Sequence, residues 1–209
     1  MVQIELDNYL CKFLYKHIKP VNHAYPGLRW QTACRLIGGD ICVVAQELNS
    51  RYLMVICGLD QHDLRYFPEL FARRMSYDLI VMCRSIGLPD NKPLRQYIKS
   101  IAEDQFCCKG ADARPSGALY KLLNKLERHY SSQHLSSQHL PLSMDEHEAL
   151  AFTFPLNSSL RGEGPFSPAE VLAERCRLLV AEKMRLESEQ AVMSVNDNIV
   201  TLDFSNNNK

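Results

Sequence analysis

The sequence lacks most of what announces a reaction. It contains no nucleophile elbow, no glycine loop of the phosphate-cradling kind, no paired metal-ligand motif and no basic tract. It also lacks a surplus of charge. Lys+Arg and Asp+Glu are both 24, which argues against a nucleic-acid or membrane partner engaged mainly by charge. No apolar run approaches the roughly 20 residues of a membrane span. The opening MVQIELDNYL has neither the basic nor the apolar region of a signal peptide. These absences lead to the expectation of a cytoplasmic protein with no membrane association and no cofactor.

They occur in a chain of 209 residues that is 46% apolar, enough to bury a sizeable core. A well-specified fold without legible chemistry shifts weight toward a protein that works by its surface. Binding is therefore the leading class, and enzyme the alternative.

The spacing predicts an α+β fold: a small antiparallel β-meander packed by several helices, with a long C-terminal helix. Residues 3–18 place Leu6, Leu10, Phe13, Leu14 and Ile18 at helical intervals. WQTACRLI alternates from Trp30 onward, Gly38-Gly39-Asp40 reads as a turn, and ICVVAQE and YLMVICG complete a three-stranded meander over 30–58. A helix is expected from about Phe67, with Pro68 in its first turn. Pro93 opens another, and 117–130 a third. QFCCKGADARPSG reads as loop, MDEHEALAFTF as one or two helical turns running into a short strand, and NIVTLDF as a last strand.

Residues 167–190 carry the clearest local signal. Ser167 with Glu170 forms a capping box and Pro168 takes the first helical position. Val171, Leu172, Cys176, Leu178, Leu179 and Leu186 then follow as one apolar stripe. The expected organisation is a core over 1–130, a linker and irregular segment over 131–166 that includes the tandem SSQHLSSQHL, and a C-terminal helix and tail over 167–209. On this reading, removing 167–209 abolishes partner capture and leaves the core folded.

Candidate chemistry is sparse. Cys107 and Cys108 lie beside Lys109, which would lower a thiol pKa, and are the only thiols outside an apolar run. A thiol- or metal-dependent enzyme is the alternative they support. His134 and His139 diverge on a helix, and neither His62-Asp63 nor Asp145-Glu146-His147-Glu148 has a metal-site register. Asp60, Asp63 and Glu69 read as carboxylates at a helix start rather than a catalytic pair. No catalytic or metal-ligating residue is assigned. For a protein partner, Trp30, Tyr66, Tyr77, Arg73 and Arg74 are of the types that dominate interfaces, and Leu172, Leu179 and Leu186 belong to the terminal stripe. For a nucleic-acid partner, Arg84, Lys92, Arg95, Lys99, Lys121, Lys125 and Arg128 form a basic stretch with Tyr97, Tyr120 and Tyr130 interleaved.

The hairpin ICVVAQELNSRYLMVICG, the apolar helix after it, and DARPSGALYKLLNKLERHY with Ser116, Gly117 and Asn124 resemble an uncharacterised bacterial family found largely on plasmids and prophages. The resemblance covers about residues 5–130. That family has no assigned activity, so it implies a setting, an accessory gene of a mobile element, and no site residues. A core with an added docking helix in that setting is expected of an inhibitor or adaptor, for example one that blocks a host nucleoprotein defence complex in the manner of anti-CRISPR proteins.

Overall fold

The structure, a computed structural model, describes residues 2–22, 26–88, 90–110, 116–133, 144–159 and 165–197. The fold is α+β. A mixed sheet runs in the order β2-β6-β1-β3-β4-β5, with β1 Val2–Leu6, β2 Ile18–Lys19, β3 Leu28–Ile37, β4 Asp40–Glu47, β5 Leu53–Leu59 and β6 Gln105–Lys109. The helices are α1 Asn8–Leu14, α2 Phe67–Ser85, α3 Lys92–Glu103, α4 Gly117–Gln133, α5 Glu146–Ser158 and α6 Pro168–Asp197.

The meander β3-β4-β5 is antiparallel, as its alternation predicts. Its first turn carries Gly38 and Gly39 at φ +64° and +99°, a backbone that glycine adopts without strain. A Cβ on Gly38 would also lie 2.2 Å from the Tyr130 ring, so α4 closes directly over this turn.

Three strands were not expected, β1, β6 and the short β2, whose Ile18 falls at the end of the helix expected over residues 3–18. Val2–Leu6 is a strand rather than the start of a helix, pairing in parallel with both β3 and β6. Val2, Ile4 and Leu6 face the main core. Gln3 and Glu5 point to the other side, where Glu5 Oε1 accepts from Arg29 Nη2 at 2.8 Å. The helix begins only after Asp7, whose Oδ1 accepts from the backbone of Tyr9 and Leu10 at 3.1 and 2.9 Å. Gln105–Lys109 is likewise a strand, β6, held between β1 and the two-residue β2.

Helices cover both faces. On one side α1, α2, α3 and α6 bury Leu10, Phe67, Phe71, Ile98 and Leu172 against Ile4, Trp30 and Met54. On the other, α4 and α5 bury Leu119, Leu123, Leu126 and Ala149 against Ala33, Val44 and Val55. The stretch read as a turn and short strand is the single helix α5, closed by a reciprocal Asp145–Glu148 capping box and continuing through Pro155. Within it Asn157 reaches the open border of β5. Its Oδ1 accepts from Leu53 N, and its Nδ2 donates to Leu53 O, both at 2.8 Å.

Ser116 and Asn124, at the start of α4 and within it, dock this helix on the sheet. Ser116 Oγ donates to Gln46 Oε1 at 3.0 Å, and Asn124 Oδ1 accepts from Arg35 at 2.8 Å. The SSQHL repeat beyond Gln133 and the strand expected at NIVTLDF lie outside the described residues.

Candidate functional site

The residues expected to meet a protein partner separate by burial. Trp30 is fully buried, its ring edge-on to Phe71 at 5.5 Å and to Tyr52 at 6.4 Å. Arg74 is buried too, donating to Asp78 at 2.9 Å while Tyr52 Oη donates to the same carboxylate at 3.1 Å. Burial pushes the Asp78 carboxyl above its ordinary range, and the Arg74 charge opposes the shift. Leu172 lies in the main core. These three side chains hold the fold together and present no surface. Tyr66 and Arg73 are exposed, and Arg73 pairs with Glu146 at 2.9 Å. Tyr77 and Leu179 are half-buried, and Leu186 is exposed.

The expected capping box of α6 forms. Glu170 Oε2 accepts from Ser167 N at 2.7 Å, and Glu170 N donates to Ser167 Oγ at 3.3 Å. The single stripe expected on this helix resolves into two. Leu172, Cys176, Leu179 and Val180 face the core. Val171, Leu178 and Leu186 are 36%, 54% and 45% exposed. Val171 and Leu178, seven residues apart, share the outward face, whereas Leu186 is in line with Leu179 and is exposed because it lies past the last core contact of the helix. Beyond Val180 the helix leaves the body of the protein: from Ala181 to Gln190 every described side chain is exposed.

The basic stretch does not form one surface. Arg84 and Arg95 both grip Asp90, Arg95 at 2.7 and 2.8 Å, and Lys99 lies 3.6 Å from Glu103. Lys92 is exposed at the start of α3. Lys121, Lys125 and Arg128 belong to α4, across the sheet from α2 and α3, where Lys125 lies over the Phe152 ring at 5.1 Å. Helical packing therefore splits the row between two opposite faces.

Cys107 and Cys108 are buried in β6 rather than exposed in a loop. Burial pushes both thiols up to about 12, so at neutral pH neither is an activated nucleophile. Iodoacetamide is expected to label them in the native protein far more slowly than after unfolding in urea, with peptide mass spectrometry as the readout; labelling at equal rates would contradict their burial. Asp60 and Asp63 close a turn on each other, Asp60 Oδ1 accepting from Asp63 N at 2.8 Å and Asp63 Oδ2 from Asp60 N at 3.0 Å. Among the described residues no three His, Cys, Asp or Glu side chains are grouped to hold a metal ion. No helix among them is long and apolar enough to cross a membrane. His134 and His139 lie outside the described residues.

One concentration of charge was not anticipated. Lys12, Phe13, Tyr15, Lys16, His17 and Arg65 line a cavity of about 440 Å³. A second, of about 400 Å³, shares Lys16, His17 and Arg65 with it and continues past Lys19 to Glu69 and Phe106. The signal was present in KFLYKHIK, with three lysines in eight residues, but Arg65 joins them only through the fold.

No known protein-family model matches the chain, and no curated protein matches it. Its own residues carry the functional reading.

Proposed function

We propose that this chain is a non-catalytic binding protein that engages a protein partner through the outward face of α6. The observation that supports the reading is the exposure of Val171, Leu178 and Leu186 on a helix whose described side chains beyond Val180 are all exposed. Helices in proteins draw most of their stability from packing an amphipathic face, and here these apolar side chains have no such cover among the described residues. A helix laid into a groove of a second protein is anchored at spacings of this kind. Glu174, Glu182, Arg185 and Glu189 are exposed on the same helix, suiting the polar rim of an interface. The occupant is thus a protein surface with an apolar groove bordered by charges of both signs.

The resemblance to a mobile-element family sharpens the proposal: an accessory protein that blocks a host nucleoprotein defence complex, in the manner of anti-CRISPR proteins, with α6 docked on one protein subunit. The test pairs Leu178→Asp with Leu186→Asp, both at exposed positions. In a bacterium whose defence complex restricts a phage, the native chain is expected to restore plaques and to retain the purified complex. The double variant should weaken retention about thirty-fold. Unchanged restriction with the native chain would remove the inhibitor reading. Equal retention by the variant would remove α6 as the docking element.

A further inference from the structure

We infer that the paired cavities bounded by α1, residues 15–19 and Arg65 bind single-stranded nucleic acid. Elsewhere on the surface the arginines are largely neutralised: Arg35 by Glu127, Arg73 by Glu146, Arg177 by Glu174 and Arg185 by Glu189. In the groove, Lys12, Lys16, Lys19 and Arg65 are exposed and make no ion pair among the described residues. Glu69 is the one carboxylate among the lining residues of the two cavities. A chain with no net charge thus gathers unneutralised cations around one continuous cleft.

Aromatic rings accompany them. Tyr15 lines the cleft at 65% exposure, with Lys16 Nζ 5.7 Å from its ring centroid. Phe106, which lines the second cavity, lies under Lys19 at 5.9 Å. Cations that follow a phosphate backbone, combined with exposed rings on which bases stack, form the usual platform for unpaired strands. Each competing occupant leaves part of this arrangement unused. A lone phosphate would not use two joined cavities or a stacking ring. Duplex bases are already stacked on each other and offer Tyr15 no face. An acidic peptide would pair with the cations and leave the ring idle.

This site is separate from the outward face of α6 and stands independently of that reading. The probe is a fluorescein-labelled 12-mer of uridine or thymidine, followed by anisotropy against the full chain. Four phosphate contacts to a single strand give a salt slope near −3, about a fifty-fold loss between 50 and 200 mM salt. Lys16→Glu with Arg65→Glu should weaken binding at least twenty-fold, and Tyr15→Ala about ten-fold. Lys121→Glu with Arg128→Glu, on the opposite side of the sheet, should leave it unchanged. Thermal unfolding of each variant checks the fold, and Lys12→Ala with Lys19→Ala supplies a milder second pair, expected to weaken binding several-fold. No anisotropy change at 50 mM salt overturns the proposal. So do equal losses in the α4 variant, equal competition by a duplex or by polyglutamate, or binding to phosphatidylserine vesicles without binding to the oligonucleotide. Leu178→Asp with Leu186→Asp should keep full oligonucleotide affinity, so failure at one site is distinguishable from failure at the other.

Discussion

Replacing Asp78 with alanine is expected to cost about 3–5 kcal/mol of unfolding free energy, a large share of the roughly 5–15 kcal/mol that holds a typical domain together. The loss comes from what stays behind. The Arg74 side chain is 5% exposed, so its guanidinium would remain in the interior without a counter-charge, and the Tyr52 hydroxyl would lose its acceptor. Removing both charges together, with Arg74→Met and Asp78→Leu, should be far milder, because no unpaired ion is stranded. Urea unfolding followed by the fluorescence of Trp30, the one tryptophan in the chain, measures both. A loss below about 1 kcal/mol for the single variant would place Arg74 among weakly coupled surface pairs and contradict its burial.

Truncation at two points in α6 should give opposite results. Removing residues 167–209 takes Leu172, Ala173, Cys176 and Val180 out of the main core. It also removes the two bonds, 2.9 and 2.8 Å, that Arg175 donates to the carbonyls of Pro26 and Gly27. A buried leucine alone is worth about 2–5 kcal/mol when cut to alanine, so this truncation is expected to unfold the protein. The expectation that the terminal helix is separable from a folded core is thereby revised. Removing 181–209 instead cuts where the described side chains are already exposed, and should lower the helical circular dichroism only by the part of α6 removed while leaving the melting temperature almost unchanged. A folded 1–166 fragment would sink the first half of this prediction, and a collapsed 1–180 fragment the second.

Sequence made parts of the structure legible for identifiable reasons. The meander could be read because Val43, Val44 and their neighbours are β-formers bounded by Gly38-Gly39. The α6 capping box could be read because its two partners lie three residues apart. The strand β1 could not, because Leu6, Leu10 and Leu14 also fit a helical period; Asp7 as a cap was the overlooked mark. The strand β6 has no local signature, since parallel pairing with Val2–Leu6 joins residues about a hundred positions apart. The stretch of α5 was expected to end in a short strand, yet the helix continues through Pro155, a residue that disfavours a helix interior.

The candidate sites show the same division. Arg73 and Arg74 look alike in sequence, and the carboxylate four residues after Arg74 was the signal that it was the buried one. The adjacent Leu178 and Leu179 gave no indication that one faces inward and the other outward. The cationic cleft needed Arg65, contributed from far along the chain.

The grip of Asn157 on Leu53 also bears on solubility. A β-sheet border with free amides and carbonyls is a template on which another chain can add a strand and begin a fibril. At β5 the carboxamide already occupies one rung, in the position a neighbouring backbone would take. At the far border β2 offers only two residues. Among the described residues both margins of the sheet are thus shortened as templates for edge-to-edge aggregation, without the strands closing into a barrel.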